Sequence, residues 1–111
     1  MNREFIMTWE FNRNWKELGF NYDDDLRRLQ NQILDNPKIG KVLKDTGGVR
    51  KMRFPFKYQG KSGSVRVCYV DFEVKEKVIL LSAFQKSKKS NLTKQERNTL
   101  RKAMDILERG I

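Results

Sequence analysis

The sequence predicts an α+β fold: an antiparallel sheet of about four strands, with two helices before it and one after it, packed on one face. Three observations predict it. Residues 64–73 and 76–84 are rich in Val, Ile, Leu and aromatic residues and are parted by a short charged turn; residues 49–56 alternate apolar and charged; residues 93–110 carry apolar residues at helical spacing.

Each element has its own signal. Residues 3–10 are β-prone and supply a first strand, and Asn12 to Leu18, with Trp15, makes a short helix stopped at Gly19. Asn21 caps a second helix, whose first turn places Asp23, Asp24 and Asp25 at the positive end of the helix dipole. Leu26, Leu29, Ile33 and Leu34 recur on one side before Asn36-Pro37 ends it. Residues 38–48 are a basic connection closing on Gly47-Gly48. A meander of three strands follows, at about 49–56, 64–73 and 76–84. In the first, Met52, Phe54 and Phe56 share one face and Lys51 and Arg53 the other, because successive strand side chains alternate. The third, Val78 to Phe84, is apolar on both faces, as a central strand between two layers requires. Thr93 and Glu96 have capping-box spacing, and Leu100, Ala103, Met104 and Leu107 form the buried stripe of the last helix.

A chain of 111 residues makes one domain, 1–111, large enough to bury roughly two thirds of its unfolded surface without disulfides. Cys68, the one cysteine, lies in an apolar strand and reads as a small buried hydrophobe. The chain has no histidine, which removes imidazole metal sites and His-activated nucleophiles. No metal or other cofactor is called for. No apolar run reaches the roughly 18–20 residues of a membrane span. Met1 to Phe11 lacks the apolar centre of a secretory signal, so a cytoplasmic protein without a membrane partner is expected.

Charge is the most uneven property of the chain. Residues 38–66 and 85–102 hold 16 of the 24 Lys and Arg but only Asp45 and Glu96 of the 14 acids, leaving the remainder net acidic although the total is +10. Such polarity points to a polyanionic partner, since a concentrated positive field attracts phosphates and speeds encounter. Meander pairing gathers the cations: Lys51 and Arg53 on its first strand, Arg66 near the start of the second, Lys86 just past the end of the third. Arg66, flanked by Val65 and Val67, is the one expected to be held partly buried. Arg50, Lys57, Lys61, Lys88 and Lys89 extend the field as RNA contacts. Tyr58, beside the Gly60–Gly63 loop, is the wet aromatic that would stack on a base. Phe54, Phe56 and Phe84 belong to the core, and Trp9 and Trp15 to packing or a protein interface.

Cations without histidine suffice to cleave RNA. The 2′-hydroxyl is an internal nucleophile, so a protein need only position it, accept its proton and neutralise charge growing on the phosphate. Arg suits the phosphate clamp, being planar, forked and always protonated. A Lys serves as the base where burial and neighbouring cations lower its pKa, which makes Lys51 or Lys86 the expected proton-transfer group.

These residues resemble a known family. Trp15-Lys16-Glu17-Leu18, Asn36-Pro37-Lys38-Ile39-Gly40, Thr46 to Arg53, Gly60-Lys61-Ser62-Gly63, Val65 to Tyr69 and Leu80 to Lys86 together look like a RelE/ParE-superfamily toxin, closest to the HigB-type ribosome-dependent mRNA interferases. The resemblance implies a RelE/ParE-like fold and metal-independent cutting of mRNA in the ribosomal A site, leaving a 2′,3′-cyclic phosphate. It also implies neutralisation by a cognate antitoxin. By position it makes Lys51 and Arg53 the basic strand residues, Arg66 the phosphate-binding arginine and Lys86 the basic residue after the last strand. A tyrosine that some relatives place there falls near Leu92, so Phe84 or Tyr58 would have to replace it. Two other functions stay open: the resemblance also implies, within the same fold, a ParE-type gyrase inhibitor, which binds a protein target and has no need of the four cations, and the charge alone fits a non-enzymatic basic RNA-binding module.

Overall fold

Alternation in the middle of the chain builds a five-stranded sheet of order β1-β5-β4-β3-β2. In this computed structural model residues 2–55, 64–85 and 92–110 are described. The strands are β1 (Glu4–Met7), β2 (Lys41–Val42), β3 (Arg50–Pro55), β4 (Ser64–Phe72) and β5 (Lys77–Gln85). The helices are α1 (Trp9–Glu17), α2 (Asp24–Asp35) and α3 (Lys94–Gly110), and a single 3₁₀ turn, Glu73–Lys75, joins β4 to β5. The α+β class expected from sequence is the one observed, with three departures.

First, the sheet is mixed. Strands β2 to β5 are antiparallel, but β1 runs parallel to β5, with Phe5 beside Val78 and Met7 beside Leu80. No hairpin links β1 to β5, so nothing local imposes the antiparallel sense. Second, the basic connection contains β2, a strand of two residues that is too short to show a period. Third, the helices lie on both faces. Strands β4 and β5 are apolar on both sides, and each side needs cover. Phe11, Trp15, Leu26, Leu29 and Ile33 of α1 and α2 pack on Met52, Phe54, Val65, Val67, Tyr69 and Leu80. Met104 of α3, with Leu92, packs on Val49, Cys68, Val70, Ile79 and Leu81 of the opposite side.

Helix ends follow their capping residues. Asn21 Oδ1 accepts the backbone N–H groups of Asp23 (3.1 Å) and Asp25 (3.0 Å), while the buried Asp25 carboxylate accepts that of Asn21 (2.9 Å). Thr93 and Glu96 exchange the reciprocal bonds of a capping box. Helix α1 begins at Trp9, earlier than the periodicity suggests, because Thr8 caps it by accepting from the Phe11 N–H (3.0 Å). The Thr8 hydroxyl also donates to the Leu81 carbonyl, and the Ala83 N–H donates to Asn14 Oδ1. Side chains of α1 thus satisfy the β5 edge beyond the point where β1 ends. Trp15 is fully buried with Phe11, Phe20 and Phe54 around it at ring separations of 5.2, 4.3 and 5.5 Å. Trp9 is exposed, with the Arg13 guanidinium over its ring.

One buried phenol fixes the loop that leads into β2. Tyr69 donates to the Pro37 carbonyl (2.7 Å) and accepts from the Gly40 N–H (3.0 Å). Gly40 is needed there, because a Cβ would stand 2.9 Å from Tyr69 Cε1 and 3.1 Å from the Lys51 carbonyl carbon. Burial raises the Tyr69 pKa, an effect that the Gly40 bond and the charge of Arg50 partly offset. The neutral phenol is therefore favoured in the folded state, and above about pH 10 the unfolded chain gives up this proton first. Stability falls as pH climbs through that range. Tyr69→Phe leaves the two backbone groups without their partner and should cost about 1–3 kcal/mol. Urea unfolding of the two proteins at neutral pH and above about pH 10 checks both points, since the variant should lose less stability on alkalinisation than the parent does.

Candidate nucleic-acid interface

The cation cluster is a product of strand register. Arg53 lies directly opposite Arg66, Lys51 opposite Cys68, and Lys41 of β2 opposite Lys51. Paired residues share a face, so Lys41, Lys51, Arg53 and Arg66 all stand on the α3 side of the sheet. Burial enforces this. Met52 pairs with Val67 and Phe54 with Val65 on the α1 and α2 side, where all four are buried, and a slip of one residue would exchange the two sets. With strands about 4.8 Å apart and alternate residues about 6.8 Å apart along a strand, the four Cα positions fall within about 12 Å.

Arg66 is the anomalous member. It is only 7 % exposed, and its Nη1 donates to Ser64 Oγ (2.8 Å). Among the described residues, neither Arg66 nor Arg53 has an acidic partner. The same sheet treats another sheltered arginine differently, since the Arg3 guanidinium grips Asp71 through two bonds, Nε to Oδ1 at 2.7 Å and Nη2 to Oδ2 at 3.3 Å. A nearly buried guanidinium facing a second one costs folding energy. A bound phosphate would supply the missing negative charge, with the forked geometry that arginine matches best.

The structure sorts the residues singled out from sequence. Lys51, Arg53 and Arg66 come together. Arg50 does not join them, because it sits opposite Tyr69 on the other face, where its Nη1 donates to the Gly40 carbonyl at 2.7 Å. Lys57, Tyr58, Lys61, Lys86, Lys88 and Lys89 lie outside the described residues, as does Phe56. Strand β5 ends at Gln85, opposite Val65, so the end of β5 and the start of β4 meet as the meander requires. Phe84 lies opposite Arg66 and packs at the margin of the α3 core, and Leu92 is buried in that core. Tyr69 is buried on the sheet's other face.

Sequence reasoning missed Lys41. Its place depends on the turn that joins β2 to β3. The buried Thr46 hydroxyl donates to the Leu43 carbonyl (2.7 Å) and accepts from the Val49 N–H (3.1 Å). Gly47 and Gly48 have φ of 78° and 113°, a region that side chains disfavour. The Thr-Gly-Gly motif is thus the signal that could have placed Lys41 on Lys51, read as a hairpin turn. Among the described residues no three of Cys, Asp and Glu gather to hold a metal ion, and no helix is long and apolar enough to cross a membrane.

Comparison with known proteins bears on the family and the fold. The family described as the RelE toxin of the RelE/RelB toxin–antitoxin system matches residues 10–109. Three solved structures share the fold. A free-state mutant of E. coli toxin RelE has a TM-score of 0.59 at 18% identity, covering 81% of this chain and 90% of its own. The intact E. coli RelBE toxin–antitoxin complex gives 0.56 at 20%, covering 77% and 96%. The RelE mutant bound to an antitoxin RelBc peptide gives 0.57 at 16%, covering 83% and 97%. At these identities the structures speak to the fold, while the family match speaks to descent. The chain belongs to the RelE family of toxins from toxin–antitoxin systems.

Opposed arginines should cost stability in the free protein. Arg53→Gln is expected to stabilise it by about 0.2–1 kcal/mol, the range for relieving directly opposed like charges in a sheet. Thermal melts at low and high salt test the cause: salt should raise the parent's melting temperature more than the variant's, because it screens a repulsion that only the parent has.

Proposed function

We propose that this toxin is a ribosome-dependent endoribonuclease of the HigB type, cutting mRNA in the A site and so halting translation. The observation that carries this reading is Arg66, nearly buried, without an acid among the described residues, and set against Arg53. In the reaction the 2′-oxygen attacks the adjoining phosphorus, the bond to the 5′-oxygen breaks, and a 2′,3′-cyclic phosphate and a 5′-hydroxyl result. Arg66 and Arg53 would hold the non-bridging oxygens as charge builds on them. Lys51, two residues from Arg53 on the same face, would take the 2′-proton or protonate the leaving oxygen, with Lys86 as the alternative for either task. The scheme asks for no metal, since the cations themselves neutralise the phosphorane. The ribosome would place the working site in the cytoplasm. A cognate antitoxin would silence the toxin by covering the basic face, a partnership supported by the RelBE complex that shares this fold.

Adding the protein to translating ribosomes and mapping mRNA ends tests the reading. Codon-phased ends carrying cyclic phosphate are expected. DNA damage without mRNA ends would point to gyrase instead, and RNA binding without either to a non-catalytic module. Lys51→Met and Arg66→Lys should each slow cleavage by about 10²–10³-fold, the usual loss when one stabilising donor is removed from an active site. Circular dichroism confirms that each variant is folded.

A further inference from the structure

The cation cluster is longer than one phosphate. Lys41 and Lys51 face each other across β2 and β3, and Arg53 and Arg66 face each other across β3 and β4, one step further along the same face. Side chains stand roughly perpendicular to a sheet, so the spacing of the charged heads follows that of the backbone. Lys41 and Arg66, two strands and one step apart, are separated by about 12 Å at Cα. Arg53 and Arg66 are close enough to share the oxygens of one phosphate. Lys41 stands beyond their reach.

The hairpin spends structure to hold Lys41 there. Strand β2 is only two residues long and both are exposed, so hydrophobic burial does not place it. It is held instead by the Tyr69 phenol on Pro37 and Gly40 at one end, and by the Thr46 hydroxyl and the two positive-φ glycines at the other. The outcome is a lysine set against another lysine, an arrangement that is unfavourable in the free sheet.

We propose that Lys41 binds the phosphate next to the scissile one, so that the toxin grips a single strand over two consecutive linkages, the track running from β4 to the β2 edge. This rests on the nuclease reading and extends it: Lys41 is a positioning residue for a polynucleotide, outside the chemistry at the cleaved bond.

Counting released counterions tests it. The probe is a short single-stranded RNA with 2′-O-methyl groups, which binds but cannot be cut, titrated against the parent protein, Lys41→Met, Lys41→Arg and Arg66→Lys over a range of salt. For single strands, log K falls against log salt with a slope of about −0.7 per phosphate contact. Lys41→Met should lower the slope by about 0.7 in magnitude, and Lys41→Arg should restore it. On ribosomes, Lys41→Met should raise KM and leave kcat nearly unchanged. An unaltered slope in Lys41→Met, alongside weakened binding in Arg66→Lys, overturns the second contact and leaves the nuclease reading standing. If the parent does not bind the free RNA, the ribosome assay decides: an unchanged KM in Lys41→Met overturns the second contact, and absence of mRNA ends with the parent overturns the nuclease reading.

Discussion

The register of β3 on β4 is the constraint from which the rest of the molecule follows. It is set on the side of the sheet away from the site, where Met52 and Phe54 pair with Val67 and Val65 beneath α1 and α2. Because the side-chain period of a strand is two, burying those four apolar residues leaves Lys51, Arg53 and Arg66 no choice but the opposite face. The hydrophobic effect on one side therefore positions electrostatics on the other. Trp15 and Phe20 close against Phe54, so the aromatic cluster of the core lies behind the arginines.

Free energy gained in that core is partly given back at the surface it supports. Arg3 and Asp71 show how this sheet handles a sheltered cation that serves only structure: it is paired, and with two bonds. Arg66 shares the shelter but among the described residues lacks the acid, and Arg53 stands opposite it. Local rules of sheet design are broken at this spot and obeyed around it, as expected where a site must attract a ligand carrying the missing charge. Pre-arranged positive charge needs no reorganisation when negative charge develops on a phosphate, and that is where such a site gains over water.

Much of this was legible in the chain, for identifiable reasons. The Thr93 and Glu96 capping box and the doubly apolar β5 are local signals, and each was where the spacing put it; at α2 the N-cap position is Asp23, and Asn21 reaches in from two residues earlier to accept the Asp25 N–H. Arg66 between valines announced a buried cation. Other features carry no local signal. The parallel docking of β1 is decided by which sheet edge is free, and Trp9 reads as a strand residue until Thr8 is seen to cap α1. Arg50 and Lys51 are adjacent in sequence and equally basic. The period of two separates them: Lys51 falls with Arg53, while Arg50 falls with Met52, opposite Tyr69, where it is tied to the Gly40 carbonyl.

By itself the sequence determined the α+β class, the three helices, the capping box of the last one, the antiparallel meander, and the side of β3 on which its cations fall, because each depends on short-range spacing or on periodicities of two or 3.6 residues. Tertiary structure alone decided that helices cover both faces, that β1 joins parallel to β5, and that Lys41 completes a line of four positive charges. Those outcomes rest on pairing between distant segments, which no local pattern encodes and only packing of the whole chain resolves.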